Sequence, residues 1–283
     1  MSDVALILEG GGMRATFSAG ALDCLMAHGV RLRTVYGVSA GACLACSYLC
    51  GQAGRALRVW TNYVDDWRYC SLRSLLLTGD MFGAKLNYDL VPNRLDPLDE
   101  AAFLRDPARF FAVVTNLETG EAEYLPVTGM RRDVRLIQAS ASLPLISNIQ
   151  RIGGKKYLDG GVADSIPIAQ AIRDGCARNV VLLTQAPGYR KEANRAMPLI
   201  RLRYHRYPRF VATAERRHEM YNRELALVEA EERAGRAFVI RPATAPDVGR
   251  IERDTAKLKA LHAAGYAAAE RALPGLLEFL AKA

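Results

Sequence analysis

Short apolar runs alternate with longer amphipathic stretches over the first fifty residues of the chain. Val4–Leu8 is an unbroken apolar run that predicts a buried strand, and residues 15–28 predict a helix. Thr34–Val38 and Ala40–Leu49 repeat this order of strand and helix. Buried strands that alternate with helices are typical of a parallel sheet with helices on both faces. The opening pattern therefore predicts an α/β fold.

The same kind of pattern continues along the rest of the chain. Further strands are predicted at residues 109–115, 156–158, 179–184 and 237–240. Helices are predicted at residues 54–69, 134–141, 165–174, 208–234, 250–264 and 267–281. The stretch NLETGEAEYLPV turns through residues 116–120 and predicts a β-hairpin. Residues 70–107 are mixed and contain scattered prolines, and we expect them to form a mobile cap.

The order of these elements divides the chain into two predicted regions. Residues 1–185 hold most of the strands and the glycine-rich turns, and they form the candidate catalytic core. Residues 186–283 begin with a basic, proline-marked stretch and are expected to complete the sheet and add a C-terminal helical extension packed on the core. The predicted fold class is a mostly parallel central sheet flanked by helices, with this extension.

Composition fits a large buried core and a cytoplasmic location. Half of the 283 residues are apolar, which is enough for one large core or a core with a helical appendage. Met1, Ser2 and Asp3 lack the positive charge that opens a signal peptide. Residues 34–54 carry no charge and reach the length of a membrane span, about 20 residues. Their glycines and small hydroxyl-bearing residues favour buried soluble structure instead.

The net charge of +8 is concentrated in one segment. Seven arginines lie in a short span opposed by Glu215 alone: Arg195, Arg201, Arg203, Arg206, Arg209, Arg216 and Arg217. Such a patch is typical of proteins that contact nucleic acid or an anionic membrane surface. The simpler interpretation is a solvated, arginine-rich loop and helix. We expect no nucleic-acid partner, and peripheral membrane contact through these arginines stays open.

The cysteines do not predict a metal centre. Six of them are irregularly spread, which favours reduced thiols over a disulfide framework in a chain of this kind. Cys43, Cys46 and Cys50 share one face of a predicted helix, but no compact set of His or Asp joins them. Buried cysteine behaves as a small hydrophobe, so core packing is the better interpretation. We predict neither a metal nor a cofactor.

Three glycines follow the first strand, in the stretch LEGGGMRATF. Gly10, Gly12 and Ala15 match the G-x-G-x-x-A fingerprint of dinucleotide sites. Such a site also needs an acidic residue near the end of the second strand, and no acid lies between Asp23 and Asp65. No G-K-[ST] follows, which excludes a P-loop. The fingerprint is therefore weak evidence for a nucleotide.

The second strand ends in GVSAG, residues 37–41, which matches the G-x-S-x-G pattern of a nucleophile elbow. Gly37 and Gly41 allow a tight turn to bring its backbone close to neighbouring elements. Ser39 would then lie at the N-terminus of the next helix, where the helix dipole favours negative charge. We interpret Ser39 as the candidate nucleophile.

A serine nucleophile needs a base, and two kinds of residue are available. Four histidines occur, and we interpret all of them as surface or packing residues: His28, His205, His218 and His262. Asp159 ends a predicted strand in KKYLDGG and would lie at the same sheet edge as Ser39 if the two strands are neighbours. An ordinary aspartate has a pKa of about 3.9, so burial would have to raise it. The alternative is that DGG is only a tight turn.

Four ordered motifs together resemble patatin-like phospholipases. GGGMR follows the first strand and GVSAG the second, while ASASLP and DGGVADSIP occur at residues 139–144 and 159–167. The hairpin sequence TNLETGE is also similar. The resemblance covers roughly residues 4–185, and VGRIERD at residues 248–254 is similar to the C-terminal extension of a bacterial branch. Asp164 stands where many relatives have asparagine.

The resemblance implies a three-layer α/β/α fold and a lipid acyl hydrolase with a Ser–Asp dyad. Ser39 would be the nucleophile and Asp159 the base, and the reaction would pass through an acyl-enzyme. Backbone N–H groups of the glycine-rich turn would stabilise the oxyanion, with Arg14 nearby: those of Gly10, Gly11, Gly12 and Met13. Donors of this kind are each worth about 3–4 kcal/mol of transition-state stabilisation.

Three alternatives stay open at this point. One is a serine esterase with a Ser-His-Asp triad, in which His205 or His218 is the base. Another is a non-catalytic lipid- or membrane-binding protein that keeps the same scaffold. The last is a dinucleotide-binding oxidoreductase, which the missing acid disfavours.

Overall fold

The computed structural model describes residues 4–282, in which eight strands form one sheet. The strands are β1 (Val4–Leu8), β2 (Thr34–Val38), β3 (Arg109–Asn116), β4 (Ala122–Val127), β5 (Gln150–Ile152), β6 (Lys155–Asp159), β7 (Arg178–Leu182) and β8 (Ala237–Ile240). The helices are α1 (Thr16–Ala27), α2 (Ala40–Leu49), α3 (Arg55–Asn62), α4 (Leu72–Thr78), α5 (Glu100–Arg105), α6 (Met130–Ser140), α7 (Ile168–Arg173), α8 (Met197–Arg203), α9 (Pro208–Glu215), α10 (Arg217–Arg233) and α11 (Thr255–Ala281). The signal-peptide expectation rests on residues 1–3, which lie outside the described residues, as does residue 283.

The sheet is mixed but mostly parallel, with helices on both faces, which confirms the predicted fold class. Its strands lie in the order β5-β6-β3-β2-β1-β7-β8, and β4 pairs with β3. The five strands β1, β2, β3, β7 and β8 pair in parallel. The hairpin strand β4 and the two strands β5 and β6 pair in the antiparallel sense.

Alternate residues of the central strands face two separate apolar layers. In β1, Leu6 and Leu8 pack on the face covered by α1, α2 and α11. Ala5 and Ile7 pack on the opposite face, against α7 and α10. All four side chains are fully buried. A strand that is buried on both faces has to be apolar throughout, which explains why the run VALIL predicts its strand correctly.

One edge of β3 is shared by two strands that meet end to end. β2 pairs in parallel with β3 and ends with Val38 opposite Val113. β6 pairs antiparallel with β3 and ends with Asp159 opposite Val114, the next position along. Both strands lie on the same edge because β4 occupies the other edge along this length. The carboxyl ends of β2 and β6 therefore point at each other.

The uncharged stretch at residues 34–54 is mostly buried in the fold, as its composition indicates. It contains β2 and the ten-residue helix α2, both of which lie in the core. Across residues 4–282, no helix combines the length and the apolar content that crossing a membrane requires.

Residues 54–107 differ from the prediction in two ways. The first helix is shorter than expected, and the expected cap at residues 70–107 contains helices. The helix expected at residues 54–69 ends at Asn62, and turns follow it. The expected cap contains α4, a π-helical segment at Leu86–Leu95 and α5. Of the shorter predicted helices, α6 begins four residues earlier than expected, and α7 begins only after Pro167.

The single helix predicted at residues 208–234 is two helices that join at Arg216. Phe210 of α9 packs edge-on against Tyr204, in a cluster with α8. Tyr221 and Leu225 of α10 pack instead on the face of the sheet that α7 also covers. The two helices serve different apolar clusters, so the chain has to change direction between them.

The two terminal helices predicted at residues 250–264 and 267–281 are one continuous helix, α11. It begins where the Asp254 carboxylate accepts a hydrogen bond from the Ala256 N–H at 2.8 Å, a standard N-cap. Gly265 lies between the two predicted helices, but in the structure it is inside α11, where this helix contacts α1.

Helices α1 and α11 cross at a pair of glycines. A Cβ at Gly20 would lie 1.9 Å from the carbonyl oxygen of His262, and a Cβ at Gly265 would lie 1.9 Å from that of Phe17. No real side chain can approach backbone so closely, so glycine at both positions lets the two helices touch. The imidazole of His262 also lies 2.7 Å from the Asp23 carboxylate across this crossing.

We expect Gly265→Ala to destabilise the fold, because the added methyl group has to push α11 away from α1. Overpacking of this kind typically costs about 1–3 kcal/mol. Equilibrium unfolding in urea measures the loss as a lower transition midpoint. Gly275→Ala is the matched control in the same helix, because its nearest neighbour is the Phe238 ring at an ordinary 3.5 Å. Equal stability of the two variants would contradict the glycine crossing.

Candidate active site

Ser39 lies between β2 and α2 in a conformation that side chains rarely adopt. Its φ is 55° and its ψ is −124°, which makes it a strained turn residue. A Cβ at Gly37 would lie 2.6 Å from the Ala42 Cα, and a Cβ at Gly41 would lie 2.3 Å from the Leu8 carbonyl oxygen. Both glycines of the G-x-S-x-G pattern are therefore needed to fold this turn against its neighbours.

The glycine-rich turn after β1 lies directly against Ser39. A Cβ at Gly10 would be 2.8 Å from the Ser39 Cβ, and one at Gly11 would be 2.8 Å from the Thr184 Oγ1. Gly12 has a positive φ of 58°, and a Cβ there would lie 2.4 Å from the Arg250 carbonyl oxygen. The turn is thus confined on several sides, and glycine backbone borders the serine.

Asp159 is buried at the end of β6, where the chain turns sharply. A Cβ at the following Gly160 would lie 2.1 Å from the Val113 carbonyl oxygen, so only glycine fits over β3. The Asp159 Oδ1 accepts a hydrogen bond from the Gly161 N–H at 2.8 Å. The Oδ2 is buried and has no hydrogen-bond partner of normal geometry among the described residues.

The meeting of β2 and β6 brings Ser39 and Asp159 together. Burial raises the pKa of the Asp159 carboxyl group above the usual aspartate range. The Ser39 hydroxyl interacts with this carboxyl and lowers the pKa in part, as does the positive charge of Arg217. The expected neighbourhood of the two residues is present, although the strands meet end to end on β3 rather than side by side.

The ASASLP segment supports both residues from the end of α6. The Ser140 Oγ accepts a hydrogen bond from the Ser39 N–H at 2.9 Å. The Ser142 carbonyl oxygen accepts one from the Asp159 N–H at 2.8 Å. A single short segment therefore sets the relative position of the two strand ends.

Met13 and Arg14 differ in how they meet expectation. The Met13 N–H donates to the Arg250 carbonyl oxygen at 3.1 Å. This amide is therefore already hydrogen-bonded, contrary to the expectation that it is free to stabilise the oxyanion. The Arg14 side chain reaches the polar pocket beside Ser39, and its buried Nε has no hydrogen-bond partner within residues 4–282.

Ser39 lies at the junction of an apolar cavity and a polar pocket. The apolar cavity is lined by side chains of α2, α3, α6 and the 70–107 segment, including Cys43, Val59, Tyr69, Phe82, Tyr88, Val91, Met130 and Ile137. The polar pocket also contains Asp159 and the three glycines, together with Glu9, Lys191, Arg217, Tyr221 and Arg250. The two spaces share Gly12, Ser39 and Leu143.

Glu9 is a buried acid that the sequence analysis did not single out. Its carboxylate accepts hydrogen bonds from the Thr184 N–H, from the Thr184 hydroxyl at 3.0 Å and from the Tyr221 hydroxyl at 2.6 Å. Burial raises the pKa of Glu9 despite these bonds. Its position directly before GGG was the one available signal.

Three cationic residues of the polar pocket come from distant parts of the chain. The Arg217 Nε donates to the Gly161 carbonyl oxygen, and its side chain therefore points inward. The other arginines proposed for membrane contact are exposed: Arg201, Arg203, Arg206, Arg209 and Arg216. Lys191 and Arg250 complete the group, and although Arg250 belongs to the VGRIERD segment, the sequence analysis predicted neither residue beside Ser39.

None of the four histidines lines the pocket that contains Ser39 and Asp159. His28, His205 and His218 each have a ring nitrogen within 3.0–3.1 Å of a carbonyl oxygen on the same stretch of chain. His262 pairs with Asp23 at the crossing of α1 and α11. Within residues 4–282, no group of three or more His, Cys, Asp or Glu residues could hold a metal ion.

Two family models match this chain. Residues 6–172 match the family described as patatin-like phospholipase, and residues 207–281 match a domain of unknown function, DUF6363. An uncharacterized protein of Escherichia coli (strain K12), YjjU, is 30% identical over 186 residues, which are 64% of this chain and 52% of that protein. The chain thus spans about half the length of this curated relative.

Among solved structures, VipD from Legionella pneumophila is similar with a TM-score of 0.47 and 12% sequence identity. The similarity covers 97% of this chain and 67% of that one. The match over residues 6–172 extends over more than half of the chain and includes both Ser39 and Asp159. The chain therefore belongs to the patatin-like phospholipase family.

Proposed function

We propose that the protein is a serine lipid acyl hydrolase that uses Ser39 as nucleophile and Asp159 as base. The observation that carries this proposal is the end-to-end meeting of β2 and β6, which places the strained serine against a buried carboxyl of raised pKa. Backbone strain at a residue that lines a pocket and a perturbed pKa in the same pocket are typical of a catalytic site.

The proposed reaction begins when the Ser39 Oγ attacks the ester carbonyl carbon and its proton passes to an Asp159 oxygen. The tetrahedral intermediate collapses, the ester C–O bond breaks, and the leaving alcohol takes the proton back. Water then gives a proton to Asp159 and attacks the acyl-enzyme. The bond between the acyl carbon and the Ser39 Oγ breaks, the Oγ takes the proton from Asp159, and the fatty acid is released. The unpartnered Oδ2 of Asp159 leaves one lone pair available for this proton.

The negative oxygen of each intermediate would lie among the backbone amides of the glycine-rich turn. Gly10, Gly11 and Gly12 line the pocket with Ser39 and carry no side chain that would cover their amides. The N-terminus of α2, which begins at Ala40, adds its dipole at the same place. Arg14 contributes a positive charge nearby.

The apolar cavity supports an acyl chain as the group transferred to Ser39. It begins at the serine and runs among the buried side chains of α2 and α6. A histidine base has less support, because the pocket of Ser39 is lined by no histidine. A non-catalytic lipid-binding protein would not need a strained serine beside a buried carboxyl.

We expect Ser39→Ala to reduce hydrolysis of p-nitrophenyl butyrate by roughly 10⁴-fold, since it removes the nucleophile. Asp159→Asn should reduce it by about 10²–10⁴-fold, since it removes the base. His205→Ala and His218→Ala are the matched controls and should retain full activity. Full activity in both dyad variants, or a comparable loss in a histidine variant, would overturn the proposed chemistry.

The pH dependence follows from the raised pKa of Asp159. A base works only when deprotonated, so kcat/KM should fall as pH drops through this pKa, at a less acidic pH than for an ordinary aspartate. Arg217→Met removes a charge that lowers the pKa, so its acid limb should move to higher pH. Initial rates across buffers, with circular dichroism to verify folding, measure both midpoints. A midpoint that stays unchanged in Arg217→Met would count against Asp159 as the titrating group.

We also propose peripheral contact with anionic membranes through α8 and the arginines that follow it. Leu199 and Leu202 of this helix are 59% and 74% exposed, beside exposed Arg201 and Arg203. Exposed leucines among arginines are typical of a helix that lies at a bilayer interface.

Arg201→Glu/Arg203→Glu should weaken binding to phosphatidylglycerol vesicles in a co-sedimentation assay. Each basic residue near such a surface contributes about 1 kcal/mol, so we expect a loss of at least about 10-fold. Arg105→Glu/Arg131→Glu makes the same charge change on α5 and α6 and serves as the control. Similar losses in both double variants would point to net charge rather than to α8.

A further inference from the structure

Four cationic side chains converge on the polar side of Ser39. Arg14 follows the glycine-rich turn, Lys191 lies in the loop after β7, Arg217 opens α10 and Arg250 precedes α11. All four line the pocket that also contains Ser39 and Asp159. Lys191, Arg217 and Arg250 also line an adjoining pocket.

Each of the three distant residues is held in place by its own hydrogen bonds. The Lys191 N–H donates to the Asn222 side chain at 2.8 Å, and its carbonyl oxygen accepts from the same side chain at 3.1 Å. The Lys191 Nζ lies 4.4 Å from the centre of the Tyr221 ring. Arg217 donates to the Gly161 carbonyl, and the Arg250 carbonyl accepts from Met13. The Arg217 side chain is therefore fixed by its own hydrogen bond, whereas the bonds of Lys191 and Arg250 fix their backbone, and Arg250 is an exposed residue.

The four basic side chains share these two pockets with three acidic ones: Glu9 and Asp159 line the pocket of Ser39, and Glu192 lines the adjoining one. Within residues 4–282, none of the four side chains has an ion pair to a carboxylate within 4.0 Å. The two carboxyl groups of the pocket, Glu9 and Asp159, are bonded to neutral partners and have raised pKa values. The buried Nε of Arg14 also lacks an acceptor.

Three of these side chains have lowered pKa values, because they are partly buried and lie near other positive charges. Burial, together with the positive charges of Arg217 and Arg250, lowers the pKa of Lys191 to about 7. Burial followed by the charge of Arg250 also lowers the pKa of Arg14 and of Arg217. An unpaired cluster of this kind is unfavourable alone and favours a bound anion.

We propose that these four residues form a phosphate-binding subsite for the headgroup of a phospholipid whose acyl ester lies at Ser39. The inference rests on the proposed function. The apolar cavity and the cationic pocket meet at Ser39, so a molecule with an acyl chain on one side of its ester and a phosphate on the other fits both. Arginine and lysine are the usual phosphate ligands of proteins.

The test compares two soluble esters with the same acyl chains, dihexanoyl phosphatidylglycerol and dihexanoylglycerol, of which only the first carries phosphate. The ratio compared is kcat/KM for dihexanoyl phosphatidylglycerol divided by kcat/KM for dihexanoylglycerol. For Lys191→Met and for Arg250→Gln, this ratio should fall by at least about 10-fold. Arg223→Gln is the matched control, because this exposed arginine of α10 pairs with Glu219 at 4.0 Å and lines neither pocket, and it should leave the ratio unchanged. Arg250→Lys should restore part of the ratio.

A second measurement needs no hydrolysis. Titration calorimetry of glycerol 3-phosphate into the Ser39→Ala protein should detect binding, and Lys191→Met or Arg250→Gln in that background should weaken it by about 10-fold. Absence of binding, or losses that are equal for both esters, would overturn the subsite. If ester hydrolysis does not depend on Ser39, the proposed function is overturned instead. The calorimetry would still test whether these residues bind phosphate.

Discussion

The end-to-end meeting of β2 and β6 on one edge of β3 is the constraint on which the rest of the site depends. Two strand ends that point at each other have to turn away at once, and the backbone that carries these turns has no room for side chains. Glycine is therefore required after each end, at Gly41 and Gly160, and in the facing turn at Gly10. The same crowding holds Ser39 in the left-handed region, at a cost of about 1–3 kcal/mol that the surrounding fold has to offset.

Features that a single segment determines could be predicted from the sequence. Apolar runs located β1, β2, β3, β7 and β8, and the strand–turn–helix context of GVSAG located Ser39, because both depend on neighbouring residues alone. The three-residue strand β5 was not predicted. The relation of β6 to β2 could not be predicted, since it depends on pairing with β3 and on β4 occupying the opposite edge. Arg217 was predicted within an exposed patch because nothing local distinguishes it from Arg216. The change of direction between α9 and α10 is what turns it inward.

The site joins parts of the chain that lie far apart in sequence. Residues before 185 supply the serine, the carboxyl group and the glycine-rich turn, while later residues supply Tyr221, which bonds Glu9, and Arg250, which bonds Met13. The division into a core at residues 1–185 and an extension at residues 186–283 stays a prediction about domains. The hydrogen bonds across that boundary explain how the later residues limit the space and set the charge around Ser39.

The glycine crossing of α1 and α11 has a consequence for the order in which the chain folds. Helix α1 ends at Ala27, but the helix that covers it begins only at Thr255. Contacts between such distant segments form late, because a long loop has to close before they contribute. The nascent protein is therefore expected to keep an apolar face of α1 uncovered until α11 has been synthesised, and to be most exposed to aggregation during that interval. Completion of α11 is then the event that closes the core.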